Sequence, residues 1–233
     1  MGACVHYIHS DDGNMALLGR LLDKYLVPKD VPERWKWRPT TAMLHPLLYN
    51  SEGGVFEDDS PFAQAIEQPV PGVFHFPLFS DEYCEFLIDM TEERNRWGFN
   101  RKDDYAAWEQ PLHKFPFVWN YHVAFVMERV VGPVCGAAYG WQPEKMQNAF
   151  FIKYAKPICE DMKPHHDHHS LVSMSVNLND DFEGGALEFT RYPGIQVKGR
   201  KGWGVMFAGS PTMPHQALPI ESGNRYVLVY WMK

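Results

Sequence analysis

The second half of the chain is a train of short apolar runs punctuated by glycine, and this pattern limits the fold more than any other feature. After Gln147 the runs Asn148–Tyr154, Leu171–Leu178, Ala186–Tyr192, Gly204–Phe207 and Tyr226–Trp231 follow in close succession. Gly184-Gly185, Pro193-Gly194, Gly199, Gly209 and Gly223 stand among them. Short strands at this spacing, joined by glycine-rich turns, predict a β-sandwich or jelly roll. An aromatic content of 15%, with eight Trp and eleven Tyr, agrees, because these side chains suit a pleated surface.

The first half reads differently. Met15, Leu17, Leu18, Leu21, Leu22, Tyr25 and Leu26 recur at helical spacing over Asn14–Leu26, and Pro28 and Pro32 end that helix. Residues 28–72 are rich in Pro, Gly and acidic side chains and are read as an arm around the next unit. Val73–Phe79 is read as a strand. Ser80 then offers an N-cap, with Asp81 and Glu82 in the first turn, and Leu87, Met90 and Trp97 line one face of the helix that follows. Residues 99–120 read as loop, and Val123–Val131 as a helix broken near Gly132-Pro133. The expected organisation is an N-terminal helix and extended arm over 1–70, then one domain over 71–233 whose β core occupies about 147–233. In class this is α+β, mostly β, with flanking N-terminal helices.

Composition narrows the partners. A formal charge of −7 argues against nucleic acid, since a phosphate binder carries a clustered basic face. The one basic cluster, Lys198, Arg200 and Lys201, is short and is read as a solvated loop. No apolar run is long enough for a membrane-spanning helix. Met1–Ser10 lacks a basic segment followed by an apolar one. The expectation is a cytoplasmic protein if the chain is complete, and the endoplasmic reticulum if it is a piece of something longer. Cys4, Cys84, Cys135 and Cys159 are widely spaced and are read as four free thiols, with two disulfides as the alternative in a secreted parent.

The most informative stretch is Pro164-His165-His166-Asp167-His168-His169. Residues two apart on a strand share a face, so His165 and Asp167 can present an imidazole and a carboxylate to one metal. His215 is the best candidate for a third ligand. Two His and one carboxylate on one face of an octahedron leave positions open, as non-haem iron(II) oxygenases require. Arg225 follows ten residues later, far enough for the chain to turn at Gly223 and return beside the metal. Its guanidinium matches the distal carboxylate of a keto-diacid such as 2-oxoglutarate. Tyr154 can reach the same pocket from a neighbouring strand. By the same periodicity His169 shares the face of His165 and Asp167, and a His166/His168 pair binding zinc is the chemical rival. No HExxH motif accompanies it.

With these residues in hand, the sequence resembles the C-terminal hydroxylase domain of the procollagen lysyl hydroxylases. The matching segments run from Val73-Phe74-His75-Phe76-Pro77-Leu78-Phe79-Ser80 through Phe151-Ile152-Lys153-Tyr154, Lys163-Pro164-His165-His166-Asp167 and Val176-Asn177-Leu178-Asn179. They continue with Phe182-Glu183-Gly184-Gly185, Arg191-Tyr192, Arg200-Lys201-Gly202-Trp203, His215 to Leu218-Pro219, and Gly223-Asn224-Arg225-Tyr226. The resemblance implies a double-stranded β-helix (jelly-roll) core. It implies iron(II) on His165, Asp167 and His215, with 2-oxoglutarate held by Arg225 in a pocket that Tyr154 and Asn177 line. It also implies O2 as oxidant, support by ascorbate, hydroxylation of a peptidyl lysine and a homodimer.

The chain departs from the family at His168-His169-Ser170 and at Tyr230-Trp231-Met232-Lys233. Both departures surround the pocket and leave the ligands untouched, so they bear on substrate. Prolyl residues, a free amino acid or a small metabolite are the alternative substrates, and a catalytically silent binding module is the alternative of another class. Gly184-Gly185 is read as a tight turn needing positive φ. Trp203 and Trp231 are read as core residues; Trp231, in phase with Arg225, can also border the pocket. Trp35, Trp37, Trp108 and Trp119 either pack the arm or form a peptide groove, and Asp103, Asp104 and Glu109 are read as a solvated acidic loop.

Overall fold

The structure is a computed structural model that describes residues 43–49, 60–99, 107–209 and 211–233. The helix expected over Asn14–Leu26 lies outside these residues, as do Cys4, Trp35, Trp37, Asp103 and Asp104.

Two short helices come first, α1 (Pro46–Tyr49) and α2 (Pro61–Ala65), followed by a hairpin of β1 (Glu67–Val70) and β2 (Val73–Pro77). The hairpin straddles position 70. Met43, Leu44, Leu48 and Phe62 are buried in the same apolar cluster as Phe76 and Phe79, so these parts of the expected arm are core. Ser80 starts α3 (Asp81–Arg94) as read: its Oγ accepts the Tyr83 N–H at 3.3 Å, and Asp81 and Glu82 occupy the positive end of the helix. Tyr83, Leu87 and Met90 are its buried face, and Asn95, in the left-handed region at φ 44°, ends it. Trp97 therefore lies beyond the helix, against Trp108.

The described residues of the expected loop over 99–120 are largely in regular elements. Beyond β3 (Gly98–Phe99) the stretch contains β4 (Trp108–Pro111), a 3-10 turn (Leu112–Lys114) and α4 (Pro116–Tyr121). The four residues of β4, ending in proline, have too little alternation to announce a strand; pairing with a longer neighbour makes it one. Nor does the following helix break. It runs from α4 through wide π-type turns (His122–Val131) into α5 (Gly132–Tyr139). The Gly132 N–H reaches back to Met127 O, and this wider turn makes room for Pro133. Val126, Val130, Val131 and Val134 are buried on both sides of the junction and hold the helix down.

Ten strands follow: β5 (Met146–Ala155), β6 (Met162–His165), β7 (Val172–Asn177), β8 (Glu183–Gly184), β9 (Leu187–Phe189), β10 (Gln196–Val197), β11 (Trp203–Ala208), β12 (His215–Ala217), β13 (Ile220–Ser222) and β14 (Asn224–Met232). The five runs read from the sequence are β5, β7, β9, β11 and β14. Pairing is antiparallel throughout. One sheet has the order β1-β2-β11-β7-β14-β5-β4-β3, a second β10-β9-β12-β6, and β13 pairs with β8. This is the mostly-β jelly roll expected.

Strand periodicity divides the large sheet into two faces. Met174, Val176, Met206, Leu228, Tyr230 and Met232 pack under the helices, in one cluster with Val126 and Val130. Their neighbours Ser173, Ser175, Phe207, Val227, Val229 and Trp231 point the other way, into a cavity of ≈ 360 Å³ that the second sheet also lines. Cys84, Cys135 and Cys159 are free and buried, and burial pushes the Cys84 and Cys135 thiols up to about 12, which leaves them inert at neutral pH. Among the described residues no helix is long and apolar enough to cross a membrane.

Candidate metal centre and co-substrate cavity

β6 ends at His165 and β12 begins at His215, and these two residues face each other as Cα partners across the ladder. Their rings are 4.5 Å apart between centroids. Asp167 comes from the turn just past β6 rather than from the strand itself, and its Oδ1 lies 3.8 Å from His165 Nε2. One ligand atom from each of His165, Asp167 and His215 falls within 4.8 Å of the others.

The backbone sets the chemistry of both rings. His165 Nδ1 lies 2.8 Å from Lys163 O, and His215 Nδ1 lies 3.2 Å from Met213 O. A carbonyl can only accept, so each Nδ1 donates to the backbone, and Nε2 is the atom each ring turns toward a metal. Burial holds the His215 pKa down to about 4, opposed by the nearby Asp167 carboxylate, so the ring stays neutral at physiological pH. Phe207, at 4.5 Å between ring centroids, flanks it. Two imidazoles and one buried carboxylate fit a divalent iron with open coordination positions.

The remaining histidines do not join. His166 and His168 stack on each other at 4.1 Å, and His168 Nδ1 is engaged by His166 O at 2.8 Å. Among the described residues the one group of three donors is His165, Asp167 and His215. His169 is absent from it because the strand has ended, so two-residue alternation no longer governs direction.

Arg225 lies on β14 as the Cα partner of Tyr154 on β5, the neighbouring-strand arrangement expected. It is 3% exposed. Its Nε donates to Asn177 Oδ1 at 2.8 Å, and its guanidinium sits over the Tyr154 ring at 5.2 Å. Among the described residues no carboxylate forms an ion pair with it, although it lines the cavity. A guanidinium buried without a counter-ion is costly, and an anionic ligand removes that cost. Burial pushes the Tyr154 phenol up to about 12, with Arg225 pulling the other way, so its hydroxyl remains a proton donor.

Asn177 stands behind Arg225, its Oδ1 accepting from the guanidinium Nε. Its amide fills the space beside Gly199, where a Cβ would lie 2.2 Å from Nδ2. Gly185, at φ 62°, lets the chain pass Arg225, to whose Cδ a Cβ would approach within 3.2 Å. Sequence reading missed Ser173, Ser175 and Phe150 as wall residues and left Glu109 in a solvated loop; all four line the cavity. Trp231 borders it, as its phase with Arg225 suggested.

Residues 150–233 match the model of the 2OG-Fe(II) oxygenase superfamily, so the domain is of the 2OG-Fe(II) oxygenase class. Within that class the relatives are lysyl hydroxylases, the family the motifs resemble. The chain is 32% identical over 178 residues to procollagen-lysine,2-oxoglutarate 5-dioxygenase 2 of Homo sapiens, covering 70% of this chain and 24% of that protein. It is 29% identical over 177 residues to the multifunctional procollagen lysine hydroxylase and glycosyltransferase of Caenorhabditis elegans, with the same coverage. The chain thus spans about a quarter of the length of these relatives. A Pseudomonas putida prolyl-4-hydroxylase superposes with a TM-score of 0.56 at 16% identity, over 70% of this chain and 93% of that one. The collagen prolyl hydroxylase of Paramecium Bursaria Chlorella virus-1 does so at 0.52 and 14%, over 69% and 95%. At such identities these two speak for the fold alone.

Proposed function

We propose that this chain hydroxylates a lysine side chain in a peptide, using iron(II), 2-oxoglutarate and O2. The observation that carries this reading is the coincidence, in one cavity, of the His165/Asp167/His215 donor group with a buried guanidinium that has no counter-ion among the described residues. When bound, iron(II) and 2-oxoglutarate supply the oxidising chemistry that turns a C–H bond into an alcohol, with succinate and CO2 as the co-products. The chain's own residues do the rest. His165, Asp167 and His215 hold the metal on one side. Arg225, braced by Asn177, receives the distal carboxylate, and Tyr154 offers it a hydroxyl. Phe150, Ile152, Phe207 and Val229 keep the enclosed space apolar and poor in water. Glu109 is among the residues lining the cavity, and an acidic residue there suits an ammonium-bearing side chain better than a neutral ring. The similarity to proteins named for procollagen lysine supports the same choice. Ascorbate as reductant and a homodimer belong to this reading too.

The test is succinate formation from 2-oxoglutarate by iron(II)-loaded protein after O2 addition, with and without a collagen-like X-Lys-Gly peptide. Succinate that rises with the peptide, together with a peptide mass gain of one oxygen on lysine, is the expected result. Slow succinate indifferent to the peptide would reject the lysine substrate and keep the oxygenase. His165→Ala and Asp167→Ala should abolish turnover and iron retention; full activity in either would remove that residue from the ligand set.

A further inference from the structure

The cavity has a polar feature that neither the metal group nor Arg225 uses. Ser173 Oγ and Trp231 Nε1 are both buried, neither has a hydrogen-bond partner among the described residues, and both residues line the cavity. They are neighbours: Ser173 on β7 and Trp231 on β14 are direct Cα partners. Trp231 packs edge-on against Phe150 at 5.1 Å and 83°, which fixes the direction of its indole N–H. Ser173 is also the Cα partner of Phe207, whose ring flanks His215, so the pair belongs to the metal-bearing part of the cavity.

The backbone of this pair stands well along β14 from the co-substrate's anchor at Arg225. Trp231 lies six residues further along the same strand, about 20 Å at about 3.3 Å per residue. A short keto-diacid anchored at Arg225 does not span that distance. Leaving two polar atoms orphaned in a packed wall costs free energy that a ligand's hydrogen bonds would recover. The chemistry of the missing group follows from the donors. An indole N–H can only donate, and a hydroxyl can donate alongside it. The complement is an oxygen acceptor; an ammonium, which only donates, does not serve.

We propose that Ser173 and Trp231 form a substrate subsite that holds a carbonyl or carboxylate oxygen of the molecule being hydroxylated. The inference rests on the oxygenase reading above and deepens it. The oxygen has two possible sources: the main-chain carbonyl of a peptide, or the carboxylate of a free amino acid.

The experiment compares wild type, Trp231→Phe, Ser173→Ala and the double variant. The phenylalanine keeps an aromatic ring and removes only the N–H. The probes are an X-Lys-Gly peptide, free lysine, a proline-containing collagen-like peptide and free proline. Anaerobic calorimetry gives Kd for each probe on protein loaded with iron(II) and 2-oxoglutarate, and turnover gives KM for probe and for 2-oxoglutarate. Each single variant should raise Kd and KM about fivefold for the probe that wild type accepts, while the KM for 2-oxoglutarate holds. The double variant should cost less than the product of the two singles, because both groups hold one oxygen. An effect on peptides assigns the carbonyl, and an effect on free amino acids the carboxylate. Equal Kd in wild type and both single variants would overturn the subsite and leave the oxygenase intact. Acceptance of prolyl probes alone would overturn the lysine reading, with the subsite still judged by the same ratio.

Discussion

His122 and Arg225 are both basic side chains buried against β14, on its two opposite faces. On the helix face, both ring nitrogens of His122 are taken, by Tyr83 Oη at 2.7 Å and Tyr230 Oη at 2.5 Å. Burial pushes this imidazole down to about 3, so it is neutral and its hydrogen bonding is complete. On the cavity face, Arg225 has Asn177 on one nitrogen and an aromatic ring beneath it, and no ion-pair partner among the described residues. The same sheet thus buries one basic group as a finished network and another as an unfinished one. Burial alone does not mark a functional residue; burial with unmet valence does.

The sharpest way to break this comparison is Arg225→Met. If the guanidinium exists for a ligand, the KM for 2-oxoglutarate should rise about 100-fold or more, the worth of roughly 3 kcal/mol for a charge-assisted pair. The unfolding midpoint in urea should hold or rise, since an uncompensated buried charge is gone. An unchanged KM would remove Arg225 from the anchor role. His122→Phe should do the reverse. It leaves two buried tyrosine hydroxyls without their shared partner and should lower stability by about 2–4 kcal/mol, read from denaturant unfolding, with the KM for 2-oxoglutarate unmoved.

Next in size is a pH effect. The unfolded His122 titrates near its model value of 6.5 and the folded one near 3. Below pH 6.5 the unfolded state therefore binds a proton that the folded state refuses, and stability falls as pH drops through that window towards 3. From pH 7 to pH 5 the loss attributable to His122 is about 2 kcal/mol, and it should be missing from His122→Phe. Equal pH slopes in the two proteins would show that His122 is not the titrating group. The smallest effect belongs to Asn177→Ala, which removes the brace but not the charge. The KM for 2-oxoglutarate should rise about tenfold, with stability down by about 1 kcal/mol.

The legibility of the chain in sequence follows the same division. Five strands declared themselves because each lies in an apolar run of its own, even β9, whose three residues sit inside the run Ala186–Tyr192. β6, β8, β10, β12 and β13 have four residues or fewer and exist through pairing, so nothing local announces them. The candidate donor triplet was readable because its residue types are rare together, although Asp167 reaches the other two from a turn and not by strand alternation. Ser173 and Ser175 were open to reading: they alternate with Met174 and Val176, and small polar residues on one face of an otherwise apolar strand mark a cavity wall. The bracing of Arg225 by Asn177 was not readable, because it joins residues 48 positions apart in a geometry set by strand order. The Tyr83–His122–Tyr230 network was hidden likewise, linking a helix, a π-type turn and the last strand.

The pairing of His165 with His215 has a consequence for how such a chain can vary. Fifty positions separate the two, yet their spacing is set by one rung between adjacent strands. Loops in the intervening stretch can lengthen, shorten or be rebuilt by a lineage without shifting one imidazole relative to the other. A single residue added within β12 ahead of its pairing would instead turn His215 to the opposite face and erase the centre at a stroke. Mutational tolerance here is a matter of where a change falls relative to that rung and to the turn that carries Asp167: insertions at other turns leave the three donors in place, while insertions in the two short strands separate them.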